Sequence, residues 1–366
     1  MTGKGRLLLL GIFLCILLIS GCGKSPAAPT GTGDSMLVGM VTDAGTIDDK
    51  SFNQGTWEGL VKAGRDFQFT PKYLKPVGVT TADYEREIAN LHDAGYRLIV
   101  TPGFKFENAV YTAQLKYADT KFVIIDGTPR AAGGAGQGQV AANTVAIYFA
   151  EEESGFLAGV AAALQVPKGE FGFIGGMEIP PVRRFNWGFQ QGVRYANANL
   201  GTAVNLKADN ILYQGTFTDM AAGQQLAARM YDQGVQVIFV AAGIVGIGVI
   251  NEGIARAKTG RQVWVIGVDV DQYGLGYYDG ARTRSVILTS AMKYVSQASY
   301  DMVRLAREGK FPGGQTLMYN VKNDGIGLPA DNPNLSPATV SKVKEVTALI
   351  KSGALKVSAT GDGLVQ

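Results

Sequence analysis

From residue 36 onward, short apolar runs alternate with amphipathic segments. Leu37–Val41, 97–100 and Lys121–Ile125 are mostly apolar and end at polar or turn-forming residues, which is typical of strands buried on both faces. The segment 83–94 instead repeats its apolar positions every three or four residues, as an amphipathic helix does. This alternation predicts βα units around a mostly parallel sheet.

The pattern predicts a strand at 140–149 that leaves the first domain, and a new helix at 151–164. A second series of βα units follows, with strands at 171–174, 210–213, 235–241, 263–268 and 285–290, and helices at 182–198, 219–231, 249–257 and 292–307. Two similar α/β halves predict a bilobed molecule with a cleft between the lobes. In such sheets a ligand binds beyond the carboxyl ends of the strands.

The first 21 residues predict a cleaved targeting segment. Lys4 and Arg6 precede an apolar run, 7–19, that is short for a membrane span. The run leads into 19–22, Ile-Ser-Gly-Cys, which resembles the bacterial lipobox and implies cleavage before Cys22 and lipid attachment to that residue. Residues 22–35, rich in Pro, Ala, Gly and Thr, would then be a lipidated tether. An uncleaved signal anchor is the alternative.

Charge and rare residues exclude several function classes. Loss of residues 1–21 leaves 32 basic and 31 acidic side chains, so we expect no nucleic-acid partner. The mature chain of about 330 residues suggests two domains. Because Cys15 leaves with the signal and Cys22 is lipidated, no disulfide or thiol nucleophile remains. His92 is the only histidine and lies beside the apolar face of a predicted helix. The chain therefore lacks the histidines that zinc sites and Ser-His or Cys-His catalytic pairs need. We expect no metal, cofactor or catalytic residue.

Polar residues at strand ends are the candidate site. Asp43, Asp126 and Asp269 each follow an apolar strand, where a carboxylate can accept hydrogen bonds from hydroxyl or N–H groups. Asn53 and Lys293 join them in this hypothesis. Each aspartate could alternatively cap the following turn or helix.

Two phenylalanines are candidates for stacking on a flat ligand. Phe52 follows the first strand, and Phe217 lies in a strand-to-helix loop that we expect to match it in the second half. Ordinary core packing is the alternative for either ring. Gly243, in the glycine-rich segment 243–248, could allow close backbone approach to a ligand, although tight helix packing explains these glycines equally well.

Several motifs together resemble a known family. They are 48–54 (DDKSFNQ), 101–104 (TPGF), 121–127 (KFVIIDG), 175–177 with 180–185, 241–243, 263–273 (VWVIGVDVDQY) and 288–290 with Lys293. Over roughly residues 36–310 they are similar to the basic membrane protein family of bacterial lipoproteins, of the purine nucleoside receptor type. The resemblance implies a type I periplasmic-binding-protein fold with two Rossmann-like lobes. In that family the chain crosses between the lobes three times. We therefore expect one lobe from 36–142 plus 269–310 and the other from 143–268 plus 311–366.

The resemblance also implies a function and residue roles. The protein would be a monomeric, lipid-anchored nucleoside receptor on the extracytoplasmic side of a bacterial membrane, delivering its ligand to the permease of an ABC importer. The implied roles are base stacking for Phe52 and Phe217, base-edge hydrogen bonds for Asp43, Asn53 and Asp126, ribose recognition for Asp269 and Lys293, and backbone approach to the sugar for Gly243. The chain departs from the family at 282–284, an apparent lengthening that weakens the Lys293 assignment.

The sequence also leaves other functions open. The segment 42–49 superficially resembles the acidic motif of nucleoside hydrolases, but Val41 stands where that motif needs a carboxylate. The histidine that serves as the acid near the end of that family's sequences is also absent. A sugar-binding or host-interaction lipoprotein on the same fold is a further alternative.

Overall fold

The computed structural model describes residues 36–133 and 137–365, and Met36–Gln366 form one compact unit by themselves. The predicted signal peptide, Cys22 and the tether lie outside the described residues. The strands are β1 Leu37–Val41, β2 Lys72–Leu74, β3 Tyr96–Pro102, β4 Lys121–Ile125, β5 Thr144–Phe149, β6 Lys168–Gly175, β7 Ala203–Tyr213, β8 Val235–Ala241, β9 Trp264–Asp269, β10 Ile287–Lys293, β11 Gln315–Tyr319 and β12 Ile326–Gly327. The α-helices are α1 Phe52–Phe67, α2 Thr81–Asp93, α3 Glu107–Lys116, α4 Glu151–Gln165, α5 Pro180–Asn199, α6 Met220–Asp232, α7 Ile244–Lys258, α8 Val295–Arg307 and α9 Pro337–Ser352.

The strands form two six-stranded sheets with equivalent strand orders. Their orders are β11-β5-β4-β3-β1-β2 and β12-β10-β9-β8-β6-β7, so each strand of the first sheet has a positional counterpart in the second. Pairing is parallel throughout these sheets except between β10 and β12. The central strands are almost entirely buried because helices cover both faces, which explains their continuous apolar sequences. The two α/β lobes predicted from the sequence are confirmed.

Helices α4 and α5 pack unusually closely in the second lobe. A Cβ atom at Gly155 of α4 would lie 2.3 Å from the carbonyl oxygen of Phe185, and one at Gly188 of α5 would lie 2.0 Å from that of Glu152. Only glycine permits this approach. The packing fixes the first turns of α5, which line one wall of the cleft described below.

The chain passes between the two sheets three times, and the predicted division into lobes is wrong for three strands. We placed β5 and β11 in the second lobe and β10 in the first. Instead β5 and β11 pair with each other in the first sheet, and β10 pairs with β9 in the second. The crossings follow β5, β10 and β11, whereas the predicted boundaries precede those strands. Strand pairing decides sheet membership, and apolar periodicity carries no information about it.

Candidate functional site

A cleft lies between the carboxyl ends of the two sheets. It holds about 770 Å³ of space between atoms, a figure that includes the part open to solvent. The structure brings all eight predicted ligand-binding residues to this cleft: Asp43, Phe52, Asn53, Asp126, Phe217, Gly243, Asp269 and Lys293. Their roles toward a ligand stay predictions.

The loop between β1 and α1 is organised by Asp49, which sequence reasoning missed. Its carboxylate accepts hydrogen bonds from the backbone N–H groups of Ser51, Asn53 and Gln54 at 2.9–3.0 Å. It therefore caps the first turn of α1, where unpaired N–H groups need an acceptor. An aspartate just before an amphipathic helix was the signal available in the sequence.

The same loop orients Asp43 and Asn53. The Nδ2 group of Asn53 donates to Asp49 at 2.9 Å and to Oδ1 of Asp43 at 3.0 Å, and the N–H of Gly45 donates to that same Oδ1 at 2.8 Å. Oδ2 of Asp43 has no hydrogen-bond partner within the described ranges. Burial raises the pKa of Asp43, although its bonds to Gly45 and Asn53 oppose the rise.

Asp126 and Asp269 occupy equivalent positions in the two lobes. Asp126 follows β4 and Asp269 is the last residue of β9, its positional counterpart, and both have left-handed backbones with φ of 58° and 63°. Aspartate tolerates this conformation better than most residues. The shared backbone turn directs two carboxylates from opposite lobes into one cleft.

Each of these carboxylates keeps one oxygen unengaged. Oδ2 of Asp126 accepts from Nζ of Lys293, while its Oδ1 is buried and has no hydrogen-bond partner in the described part of the chain. Oδ2 of Asp269 accepts from Oγ of Ser51 at 2.5 Å, and the structure gives its Oδ1 no partner among the described residues. A buried acceptor without a partner, such as Oδ1 of Asp126, is costly, and both unengaged oxygens are suited to ligand donors.

Lys293 lies at the centre of a buried charge cluster. Its side chain is 2% exposed and pairs with Asp126 and with Glu151, the latter at 2.9 Å. Glu151 also pairs with Arg184 at 2.6 Å. The Lys293 ammonium lies 5.0 Å from the centre of the Phe52 ring, within cation–π range. Sequence reasoning missed Glu151 and Arg184, because the sequence shows only three acidic residues at the start of one predicted helix and two adjacent arginines in another.

Burial governs the ionisation of this cluster. It raises the pKa of both Asp126 and Asp269 to about 6, although the nearby Lys293 charge opposes the rise. Burial alone would lower the pKa of Lys293, but the charges of Asp126, Glu151 and Asp269 outweigh it and raise that pKa. Lys293 is therefore a cation at neutral pH, and both aspartates are ionised.

The two candidate rings line the cleft from different lobes. Phe52 begins α1 in the first lobe, and Phe217 lies between β7 and α6 in the second; both rings are half-buried. The predicted positional match between them is wrong, because β1 corresponds to β6 and not to β7. The Phe217 ring lies against Gly176, where a Cβ atom would be 2.3 Å from it.

The backbone of Phe217 is tied to the start of α7. Its carbonyl oxygen accepts from the N–H of Ile244 at 2.9 Å, and Gly243, with φ of 56°, makes the turn before that helix. Farther along α7, a Cβ atom at Gly248 would lie 2.0 Å from the carbonyl oxygen of Met220. The glycine-rich segment thus serves both a cleft-lining turn and close packing between α6 and α7. The remaining wall is largely apolar: Ile179, Pro181, Val182, Phe185, Ala241, Ala242, Ile244 and Val268.

The lengthening at 282–284 does not displace Lys293. A bridge between Tyr277 and Ser285 closes this loop, and the carboxylate of Asp279 accepts from the N–H groups of Thr283 and Arg284. Lys293 still reaches the cleft.

His92 has the boundary position that its helical spacing predicted. It is partly buried in α2, and its Nδ1 atom lies 3.0 Å from Oγ1 of Thr120. Across residues 36–133 and 137–365, no group of three His, Cys, Asp or Glu side chains is arranged to hold a metal ion. Every helix in those ranges is too short or too polar to span a bilayer.

Comparisons with known proteins connect this cleft to a transport family. The family model for PnrA-like ABC transporter substrate-binding proteins matches residues 36–360. The chain belongs to this family. Among its PnrA-like relatives are the ABC transporter nucleoside-binding protein BmpA of Lactococcus lactis subsp. cremoris, 33% identical over 92% of each chain, and basic membrane protein A1 of Borrelia garinii subsp. bavariensis, 32% identical over 92% of this chain and 91% of that one.

A solved structure confirms the predicted fold. A solute-binding protein of an ABC transporter from Aeropyrum pernix K1 superposes on the PnrA-like chain with a TM-score of 0.75 at 25% identity, covering 90% of this chain and 94% of that one. Together with the two parallel sheets, this establishes the type I periplasmic-binding-protein fold. This PnrA-like chain is thus an extracytoplasmic substrate-binding protein that serves an ABC permease, and proteins of this class bind their ligands without chemical conversion.

Proposed function

We propose that this protein captures purine nucleosides for an ABC importer and is held at the membrane by a lipid on Cys22. The observation that carries the ligand assignment is the pair of unengaged acceptors, Oδ1 of Asp126 and Oδ1 of Asp269, in one cleft with two half-buried rings. A nucleoside supplies a flat heterocycle for the rings and N–H and hydroxyl donors for the carboxylates. The nucleoside-binding relative from Lactococcus lactis supports the same ligand class.

We assign the base and the ribose to two groups of cleft residues. Phe52 and Phe217 would hold the base between the lobes, at roughly 0.5–1.5 kcal/mol per ring beyond the area that is buried. Asp43, Asn53 and Asp126 would contact the edges of the base. Asp269 would accept from the ribose hydroxyls.

We assign the rest of the ribose contact to the side chain of Lys293 and to the backbone of Gly243. An ammonium group has three donors; Nζ of Lys293 donates to Asp126 and forms an ion pair with Oε1 of Glu151 at 2.9 Å. A remaining donor is available for a ribose oxygen. Gly243, with no side chain, would let the backbone of the second lobe approach the sugar.

Calorimetric titration of the fragment from Gly23 onward tests this proposal. The fragment keeps the compact unit Met36–Gln366. We expect guanosine, inosine or adenosine to bind, and ribose, arabinose and galactose to give no heat at the same concentrations. Binding of a free sugar without any nucleoside would overturn the ligand assignment. Chromatography of the titrated inosine checks that no free base is released, as a hydrolase would require.

The lipid anchor requires a separate experiment. In cells that express the full chain, we expect radiolabelled palmitate to appear on the protein and the protein to sediment with membranes. A Cys22→Ala substitution removes the acceptor thiol and should abolish the label. Labelling that persists in this variant would contradict the assignment.

A further inference from the structure

Two hydrogen bonds join the lobes directly beside Asp269. Oγ of Ser51, in the loop between β1 and α1 of the first lobe, donates to Oδ2 of Asp269 in the second lobe at 2.5 Å. Nε2 of Gln272, also in the second lobe, donates to the carbonyl oxygen of Lys50 at 2.7 Å. The side chains of Ser51 and Gln272 belong to residues that are 1% and 2% exposed. These contacts are therefore shielded from water, where hydrogen bonds are strongest.

The second lobe holds Gln272 in one fixed orientation. Its Oε1 accepts from the N–H of Val268 at 3.1 Å, and its own N–H donates to Oγ of Ser290 at 3.1 Å. The side chain folds back over Gly267, where a Cβ atom would lie 2.5 Å from that Oε1. Only Nε2 is left to bond elsewhere, and it points at the first lobe.

The first lobe presents its two partners from a similarly constrained turn. Lys50 has φ of 60°, a left-handed conformation that a lysine rarely adopts, and its N–H donates to Oε1 of Gln54 at 3.2 Å. The N–H of Ser51 is held by Asp49 at 2.9 Å. The turn thus aims the carbonyl oxygen of Lys50 and the hydroxyl of Ser51 across the cleft.

We propose that Ser51 and Gln272 form an interlobe clasp that stabilises the closed cleft and positions the carboxylate of Asp269 for the ligand. The clasp uses Oδ2 of Asp269, which lines the cleft, and leaves its Oδ1 without a hydrogen-bond partner among the described residues. Ligand and clasp therefore do not compete for the same atom. Both favour the same closed arrangement, so the measured affinity contains the contribution of the clasp. The positioning of Asp269 rests on the proposed function, whereas the closure of the lobes does not.

Lobe closure can be measured without knowing the ligand. The fragment from Gly23 onward contains no cysteine, because Cys15 and Cys22 both precede it. Val77→Cys and Asp209→Cys place one spin label on an exposed residue of each lobe. Pulsed electron double resonance then gives the distance distribution between the two labels, with and without guanosine at about 1 mM, a concentration that would nearly saturate a micromolar site.

Two variants remove the clasp in different ways, and a third is the control. Ser51→Ala deletes the hydroxyl, and Gln272→Glu keeps the acceptor for Val268 while removing the donor to Lys50. Ser299→Ala is the matched control, since its buried hydroxyl donates to the Thr56 carbonyl between α1 and α8 of the first lobe, away from the cleft. Ser51→Thr retains the hydroxyl and should restore wild-type behaviour.

We expect Ser51→Ala and Gln272→Glu each to lower the ratio of closed to open molecules about tenfold, the usual effect of losing a hydrogen bond to a charged or buried group. We expect nucleoside affinity to fall by a similar factor, and both effects to be absent in Ser299→Ala. Distance distributions that match the control under both conditions would overturn the clasp. If guanosine does not bind the wild type, the proposed ligand fails, and the ligand-free distances still test closure.

Discussion

An Asp269→Asn substitution separates ligand recognition from folding, because it should move the two in opposite directions. The amide keeps the shape of the carboxylate and an oxygen that can accept from Ser51. It removes the negative charge that the ribose contact would use. Because burial raises the pKa of Asp269 to about 6, the ionised carboxylate is unfavourable in the ligand-free fold.

The structure bounds both effects. Since Ser51 already occupies Oδ2, one oxygen of Asp269 remains for the ligand. One charge-assisted hydrogen bond is worth roughly 1.5–3 kcal/mol, so nucleoside binding should weaken by about 10- to 150-fold. Free bases, which lack the ribose, should lose less than about threefold on the same scale. The rise in pKa from 3.8 to about 6 corresponds to no more than about 3 kcal/mol, and this is the upper limit of stability that the ligand-free variant gains.

Calorimetric titration with guanosine and guanine measures the first effect, and thermal unfolding of the ligand-free protein measures the second. Asp271→Asn is the matched control, because this exposed aspartate two residues along caps the N–H of Tyr273, and an asparagine can do the same. Equal losses for nucleoside and base would refute the ribose role of Asp269. A lower Tm for Asp269→Asn would refute the reasoning from burial.

Three further predictions concern the charge cluster and the rings. Lys293→Met leaves Asp126 and Glu151 without their shared cation, so we expect a loss of about 3–5 kcal/mol in the free energy of unfolding by urea; an unchanged midpoint would contradict the ion-pair assignment. Phe217→Ala should weaken nucleoside binding at least about tenfold in titrations, with Phe217→Leu intermediate, because the ring contributes both area and stacking; a Phe217→Leu variant that binds as tightly as the wild type would argue against stacking. Between pH 3.8 and about 6, Asp126 and Asp269 bind more protons in the native state than in the unfolded chain, because their pKa values are raised on folding. The Tm of the ligand-free protein should therefore rise as the pH falls from 7.5 to 5, while nucleoside affinity falls. A Tm and an affinity that rise or fall together over this range would refute the reasoning.

The sequence was informative wherever function depends on position along one strand. Asp126 and Asp269 could be found because parallel strands end at one edge of a sheet, and a polar residue after an apolar run therefore faces a shared cleft. Strand pairing itself was not accessible. The wrong lobes for β5, β10 and β11, and the mistaken match of Phe52 with Phe217, both follow from that one gap.

Contacts between distant segments were equally invisible in the sequence. Glu151 and Lys293 are 142 positions apart, and Ser51 and Asp269 are 218 apart. Neither pair has a local motif. Glu151 and Lys293 meet when the second lobe folds, and Ser51 and Asp269 meet only when the two lobes come together. The chemistry of single residues could be predicted, whereas the network that orients them could not.

The charge balance of the cleft favours a neutral ligand that donates hydrogen bonds. Four carboxylates line it, those of Asp43, Asp49, Asp126 and Asp269, and Lys293 is the only cation among the described lining residues. That cation is already paired with Asp126 and Glu151. A phosphate would meet unpaired acceptors and no available counter-charge, whereas N–H and hydroxyl groups satisfy those acceptors. The arrangement that suits a nucleoside therefore also works against its phosphorylated forms.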